Sequence, residues 1–298
     1  MIKAKGVTKS FGEFFALDEF CMTVPNGSIY GLVGPNGAGK TTIINHLLGV
    51  LKEDSGEILI DGERVWENDE LKQNVLCIND DWYFYPSFTV KEMAALYKDI
   101  YKNFNSERYE ALGKVLNIEE NRQIRRLSKG MKKQVAFRLV LSCMPKVLIL
   151  DEPLDGLDPV MRKQIMNIII SDVADRKMTV LVSSHNLREL EDICDYVGII
   201  HKGKMVIEKP LDDLKGNIVK AQLVFGGEFS EKLKAELEIL YLSKIGSVYT
   251  AIIKGESEKI SQKINEYNPV VFDKVSLTLE EVFIYELGGL GYELKDIV

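Results

Sequence analysis

The stretch Gly34-Pro35-Asn36-Gly37-Ala38-Gly39-Lys40-Thr41-Thr42 decides how the rest of the chain is read. It satisfies the phosphate-binding pattern G-x-x-x-x-G-K-S/T at every position. It also lies between the apolar run 28–33 and the helix-like run 42–48, in the strand, loop, helix order that the pattern requires. Its glycines allow successive N–H groups to face one concavity, and the positive end of the following helix adds attraction for phosphate. Lys40 is expected to reach the β- and γ-phosphates of a nucleoside triphosphate, and Thr41 to offer its hydroxyl to a Mg²⁺ ion bridging them.

A chain of 298 residues accommodates one large domain or two ordinary ones, and 46% hydrophobic with 28% charged residues is a globular balance. The net charge of −7 argues against a broad basic footprint, so no nucleic-acid partner is expected. Cys21, Cys77, Cys143 and Cys194 lie far apart with mostly apolar neighbours and form no C-x-x-C pair. They read as reduced core thiols of a cytoplasmic protein rather than disulfides or a zinc site. The start of the chain lacks a secretory apolar segment and no apolar run approaches bilayer length, so any membrane crossing is expected from another chain.

Residues 2–24 read as two short strands ahead of the loop. Phe11 is a candidate to stack on adenine; packing beneath a hairpin is the competing reading, and Phe14 and Phe15 compete for the same role. Residues 56–60 and 74–78 read as further strands. From 86 to 144 the pattern turns helical: Thr89 with Glu92 forms a capping-box signature, and a second helical period runs over 106–116. The segment Leu127-Ser128-Lys129-Gly130-Met131 opens another helix with Ser128 at the N-cap, a place able to receive an anion.

The run Val147-Leu148-Ile149-Leu150-Asp151 is too apolar for a solvent-facing strand. It reads as a central parallel strand carrying Asp151 to its C-terminal end, where ligands bind in open α/β sheets. Asp151 is the second Mg²⁺ residue of this reading. Glu152 follows in position to polarise a water that attacks the γ-phosphate, and such an acidic pair ending a buried strand needs a cation or a reaction to justify it. A tight turn at 153–159 leads to an amphipathic helix over 160–170, and 178–184 is one more buried strand with His185 at its end. A lone histidine is usually structural, but at this edge it is placed to sense the γ-phosphate.

The segment 34–42, the signature 127–131, the strand and acidic pair at 147–153, Leu157-Asp158 and His185 occur in this order with a helical lobe between the first two. Together they resemble the nucleotide-binding subunit of an ABC transporter, over roughly residues 1–215. The resemblance implies a P-loop NTPase fold with a mixed α/β sheet and an inserted helical subdomain at about 86–144. It implies that Gly34, Pro35, Asn36, Gly37, Ala38, Gly39, Lys40, Thr41 and Thr42 hold the nucleotide, Thr41 and Asp151 support Mg²⁺, Glu152 is the general base and His185 contacts the γ-phosphate. Ser128, Lys129, Gly130 and Met131 would meet the ATP of an opposite subunit, and Asp158 would couple the paired sites.

The implied partners are ATP, a second ATPase subunit, identical or related, and an integral membrane permease that would hold the chain at the inner face of the cell membrane. Two features depart from the family pattern. Lys129 and Met131 replace the usual glycine and glutamine, and alignment puts Asp80, with Asp81 beside it, where a Mg²⁺-touching glutamine is usual. A soluble ABC-type ATPase not tied to transport and a weakly hydrolysing regulatory subunit are the alternatives.

A boundary is expected near Pro210 and 215–217, followed by a small α+β domain over 216–298. Its period changes predict strand 219–225, helix 230–237, strands 239–243 and 248–253, helix 256–267 and strand 270–275. That is the β-α-β-β-α-β order of a ferredoxin-like fold. The closing stretch 277–287 looks like the terminal helix of bacterial ABC subunits that work with separate, small membrane permeases.

Overall fold

The computed structural model describes residues 1–79, 84–153, 156–184, 187–216 and 218–282. In chain order, strands β1 (Ile2–Phe11) and β2 (Phe14–Val24) form a hairpin, and β3 (Ile29–Val33) leads through the glycine-rich loop into helix α1 (Lys40–Leu47). Then come β4 (Ser55–Ile60), β5 (Glu63–Arg64), α2 (Asp69–Lys72) and β6 (Val75–Ile78). A helical lobe follows: α3 (Val90–Ile100), α4 (Ser106–Leu116), a 3-10 turn at Ile124–Arg126, and α5 (Lys129–Ser142). The chain returns through β7 (Val147–Asp151), α6 (Pro159–Arg176), β8 (Thr179–Ser184), α7 (Leu187–Glu191), β9 (Tyr196–His201), β10 (Lys204–Pro210) and α8 (Leu211–Gly216). It continues as β11 (Ile218–Val224), α9 (Glu231–Glu236), β12 (Glu238–Ile245), β13 (Val248–Lys254), α10 (Ser257–Glu266) and β14 (Val271–Val275).

Two compact units result, Met1–Asn186 with Ile193–Glu208, and Leu187–Asp192 with Lys209–Val298. In the first unit a six-stranded sheet has the order β10-β9-β3-β8-β7-β6. Within it β9, β3, β8, β7 and β6 run parallel. Every residue of β3 and β8 is buried, which is why their sequences lack the apolar–polar alternation of a half-exposed strand. A second, antiparallel sheet, β2-β1-β4-β5, covers the start of the unit, and Phe20, Met22, Ile43, Leu47 and Ile60 share one core with the parallel strands.

The first hairpin differs from the two short strands expected: β1 and β2 span 10 and 11 residues. Pairing runs on to the tip of the hairpin, where Phe11 is partnered by Phe14. In the helical lobe, Thr89 and Glu92 form the reciprocal capping box at the start of α3.

The second unit has β12-β13-β11-β14 as its sheet order, with every neighbouring pair antiparallel. With α9 and α10 between the strands, this is the ferredoxin-like connection, and Leu223, Leu233, Ile253 and Ile264 form its core. Leu187 and Leu190 of α7 are buried, and the Leu279 N–H donates to Glu191 at 3.2 Å, which accounts for α7 belonging to this unit.

All four cysteines are free, but only Cys143 and Cys194 are fully buried; Cys21 is exposed. The expectation of four core thiols is corrected there, because Cys21 lies on an outward position of β2, where side chains alternate between faces.

Candidate nucleotide site

The loop after β3 is shaped by backbone approach. Gly39 precedes α1 with φ of 113°, a region that side chains rarely enter. A Cβ there would also lie 2.6 Å from the Ala16 carbonyl oxygen. The turn between β9 and β10 pins the loop from outside: the Gly203 N–H donates to the Ala38 carbonyl at 2.9 Å, and the Gly203 carbonyl accepts from Asp18 N–H at 3.0 Å.

Lys40, the first residue of α1, is buried. Its ammonium donates to the carbonyls of Gly34 at 2.5 Å and Pro35 at 3.2 Å. Burial pulls its pKa below the ordinary lysine value, partly offset by the carboxylates of Glu152 and Asp151. A phosphate entering this loop would offer the cation a charged acceptor in place of neutral carbonyls.

Asp151 ends β7 beside Ser183 of β8, its register partner. The Ser183 hydroxyl donates to one Asp151 oxygen, and the Thr41 hydroxyl stands 3.5 Å from the other. The Thr41 and Asp151 oxygens are hard donors brought together at this edge, and they fit a small divalent ion such as Mg²⁺. Glu152 follows with a left-handed backbone, φ of 47°.

Phe11, Phe14, Lys40, Thr41, Asp151 and Glu152 line one cleft of about 300 Å³. Phe11 and Phe14 are 52% and 60% exposed, so Phe11 is not packed beneath a hairpin; both residues line the cleft, and the Lys9 ammonium stands 5.8 Å from the Phe11 ring centroid. Another cleft of about 320 Å³, lined by Asp61, Glu70, Asn74, Lys102 and Lys146, opens at the opposite, N-terminal ends of β6 and β7.

Away from this cleft, Ser128 caps α5 by accepting from the Met131 N–H at 3.3 Å, and Ser128 and Lys129 are exposed. Asp158 caps α6, accepting from Val160 and Met161 N–H groups at 3.1 and 3.0 Å. Asp80 and His185, both expected at the site, lie outside the described residues.

Residues 17–155 match the family model described as ABC transporter. The ABC transporter ATP-binding protein YtrB of Bacillus subtilis is 31% identical over 289 residues, 97% of this chain and 99% of its own length. The chain belongs to the ABC transporter ATP-binding proteins.

Another relative of this ABC family, the bacitracin transport ATP-binding protein BcrA of Bacillus licheniformis, is 39% identical over 220 residues, covering 72% of this chain and 71% of its own. A solved ATP-binding subunit of an ABC transporter superposes with a TM-score of 0.68 at 26% identity, over 72% of this chain and 92% of that one. The YtrB match takes in the second unit as well, so that unit is part of a shared design. The nucleotide-binding cassette is thus the fold of the first unit, and the chain is an ATP-binding subunit of the ABC type.

Two residues at the ABC site escaped the sequence reading. Ser183 left a faint signal, a polar residue closing an apolar strand. Lys133, which donates to the Glu152 carbonyl at 3.0 Å, left none, because a lysine in Lys132-Lys133-Gln134 reads as a solvated helix face.

Proposed function

We propose that this subunit hydrolyses ATP in the cleft at Lys40, with Glu152 as general base, and that paired subunits use the reaction to drive a separate membrane permease in the direction of export. The observation that carries the reading is the convergence of Lys40 and Thr41 at the start of α1 with Asp151 and Glu152 at the end of β7 on one cleft, with Phe11 and Phe14 on its wall. Lys40 neutralises phosphate charge. Glu152 takes a proton from the water that attacks the γ-phosphate, and the two rings receive the base of the nucleotide. Thr41 and Asp151, with Asp80 by alignment, would hold Mg²⁺, which would supply neutralisation of the phosphate charge.

The pairing reading is supported by the position of Ser128–Met131: none of these four residues lines the chain's own cleft, which leaves them to serve the ATP of a partner, with Asp158 near the junction. Among the described residues no helix is long and apolar enough to cross a membrane. The permease therefore supplies the crossing in this reading, and it holds the subunit at the cytoplasmic face.

The test is Mg²⁺-dependent ATPase activity of the wild type and of Glu152→Gln. Loss of a general base should lower turnover by about 10²–10⁴-fold while ATP binding persists. A Glu152→Gln protein that turns over like the wild type would overturn the assignment. A wild type without turnover, alone or with its permease, would favour the weakly hydrolysing regulatory subunit.

A further inference from the structure

The backbone of Glu152 has to be held. At φ of 47° it occupies a left-handed region that a residue with a side chain keeps only where its surroundings enforce it. Two hydrogen bonds grip its two peptide groups: Glu152 N–H donates to the Ser183 carbonyl at 3.2 Å, and the Glu152 carbonyl accepts from Lys133 Nζ at 3.0 Å. Lys133 is only 1% exposed. An ammonium withdrawn from water to this extent keeps its charge where polar groups receive it, and the Glu152 carbonyl is one of these.

Lys133 lies on α5, about one turn beyond Ser128–Met131. The same helix meets the turn after Glu152 at a second point, because a Cβ on Gly130 would lie 2.7 Å from the Gly156 carbonyl oxygen. The Lys129 stem passes 3.8 Å from a Cβ built on Gly156. The first turns of α5 therefore approach the segment after β7 at two described points, Glu152 and Gly156, and a shift of one displaces the other.

We infer that Lys133 is a positioning residue for ATP hydrolysis, a strut through which the start of α5 sets the backbone of Glu152 and hence the aim of this chain's own general base. The inference rests on the reading of Glu152 as base and of Ser128–Met131 as the surface offered to a partner's ATP. Lys133 itself does not line the cleft. Its consequence is directional: capture of the partner's nucleotide at the start of α5 is transmitted to the chemistry in this chain's cleft.

Lys133→Met keeps the length of the stem and removes the donor, whereas Lys133→Gln keeps a shorter N–H donor. Binding of a fluorescent ATP analogue to either should stay within about twofold of the wild type, since neither touches the nucleotide. The methionine variant should lose about tenfold or more in kcat at unchanged KM, and the glutamine variant about two- to fivefold, because small misplacements of a reacting group are expensive. A Lys133→Met kcat within twofold of wild type overturns the inference, and so does equal loss of kcat and nucleotide binding in both variants, which would mark a packing role. Where the methionine variant does not fold, Lys133→Gln is read alone, and a wild-type kcat overturns the strut. Glu152→Gln runs alongside. If it retains turnover, the base assignment fails; if it is inactive while Lys133→Met is unaffected, the strut alone fails.

Discussion

Gly130 shows how one residue answers to two demands. The family resemblance ties it to a partner's ATP, yet inside this chain a Cβ at that position would come within 2.7 Å of the Gly156 carbonyl oxygen. Gly130→Ala should therefore destabilise the nucleotide-free monomer. Overpacking costs about 1–3 kcal/mol and better helix propensity returns up to about 1, so a net loss of about 1–2 kcal/mol is expected. Thermal unfolding without nucleotide checks this; an unchanged melting temperature would leave Gly130 to the partner's site alone. The contact illustrates what was legible at this scale. Lys40, Thr41, Asp151 and Glu152 could be read because their chemistry is written in short local patterns. Ser183, Lys133 and the Gly130 to Gly156 approach could not, because each depends on strands and helices distant in sequence, and the composition of α5 gives no hint that Lys133 faces inward.

Among the elements, the helical lobe is held to the sheet-bearing core by an ionic clasp. Arg108 of α4 donates to Asp172 of α6 at 2.5 Å, and Arg176, one turn further along α6, donates to the other Asp172 oxygen at 3.0 Å. Arg176 also reaches the Pro145 carbonyl at 2.5 Å, which ties the loop before β7 into the same cluster. The Asp172 side chain is 6% exposed and the two arginines are 26% and 21% exposed. Removing the carboxylate leaves two half-buried guanidinium groups without their shared counter-charge. Asp172→Asn should cost about 3 kcal/mol, the lower end of the range for breaking a buried pair, because water still reaches both arginines. Urea unfolding, read as a lower midpoint at constant slope, measures this; an unshifted midpoint would mean that the clasp contributes little. The elements it joins were readable from local signals, such as the Thr89 capping box and the period of α4. The clasp was not, since Arg108 and Asp172 are 64 residues apart and each reads alone as an exposed charge on an amphipathic helix.

At the scale of the whole molecule, each apolar run that read as a buried strand is one, but the sheet order β10-β9-β3-β8-β7-β6 is set by crossovers that no local pattern encodes. That order puts β8 between β3 and β7, and so brings the Lys40 loop and Asp151 to the same edge with Ser183 between them. It also leaves the start of α5 outside the chain's own cleft. In the proposed reading one half of a site lies in the cleft and the other on α5, and a second subunit would bring complementary halves together. A monomer should bind ATP and turn it over slowly. The total rate should then rise more steeply than linearly with protein concentration until dimers saturate, since complex formation follows mass action. Steady-state ATPase measured across a concentration series, with molar mass followed by light scattering, tests the point. A specific activity that stays constant while the protein is monomeric would mean that one cleft suffices, and that the Ser128 end of α5 serves something other than a partner's nucleotide.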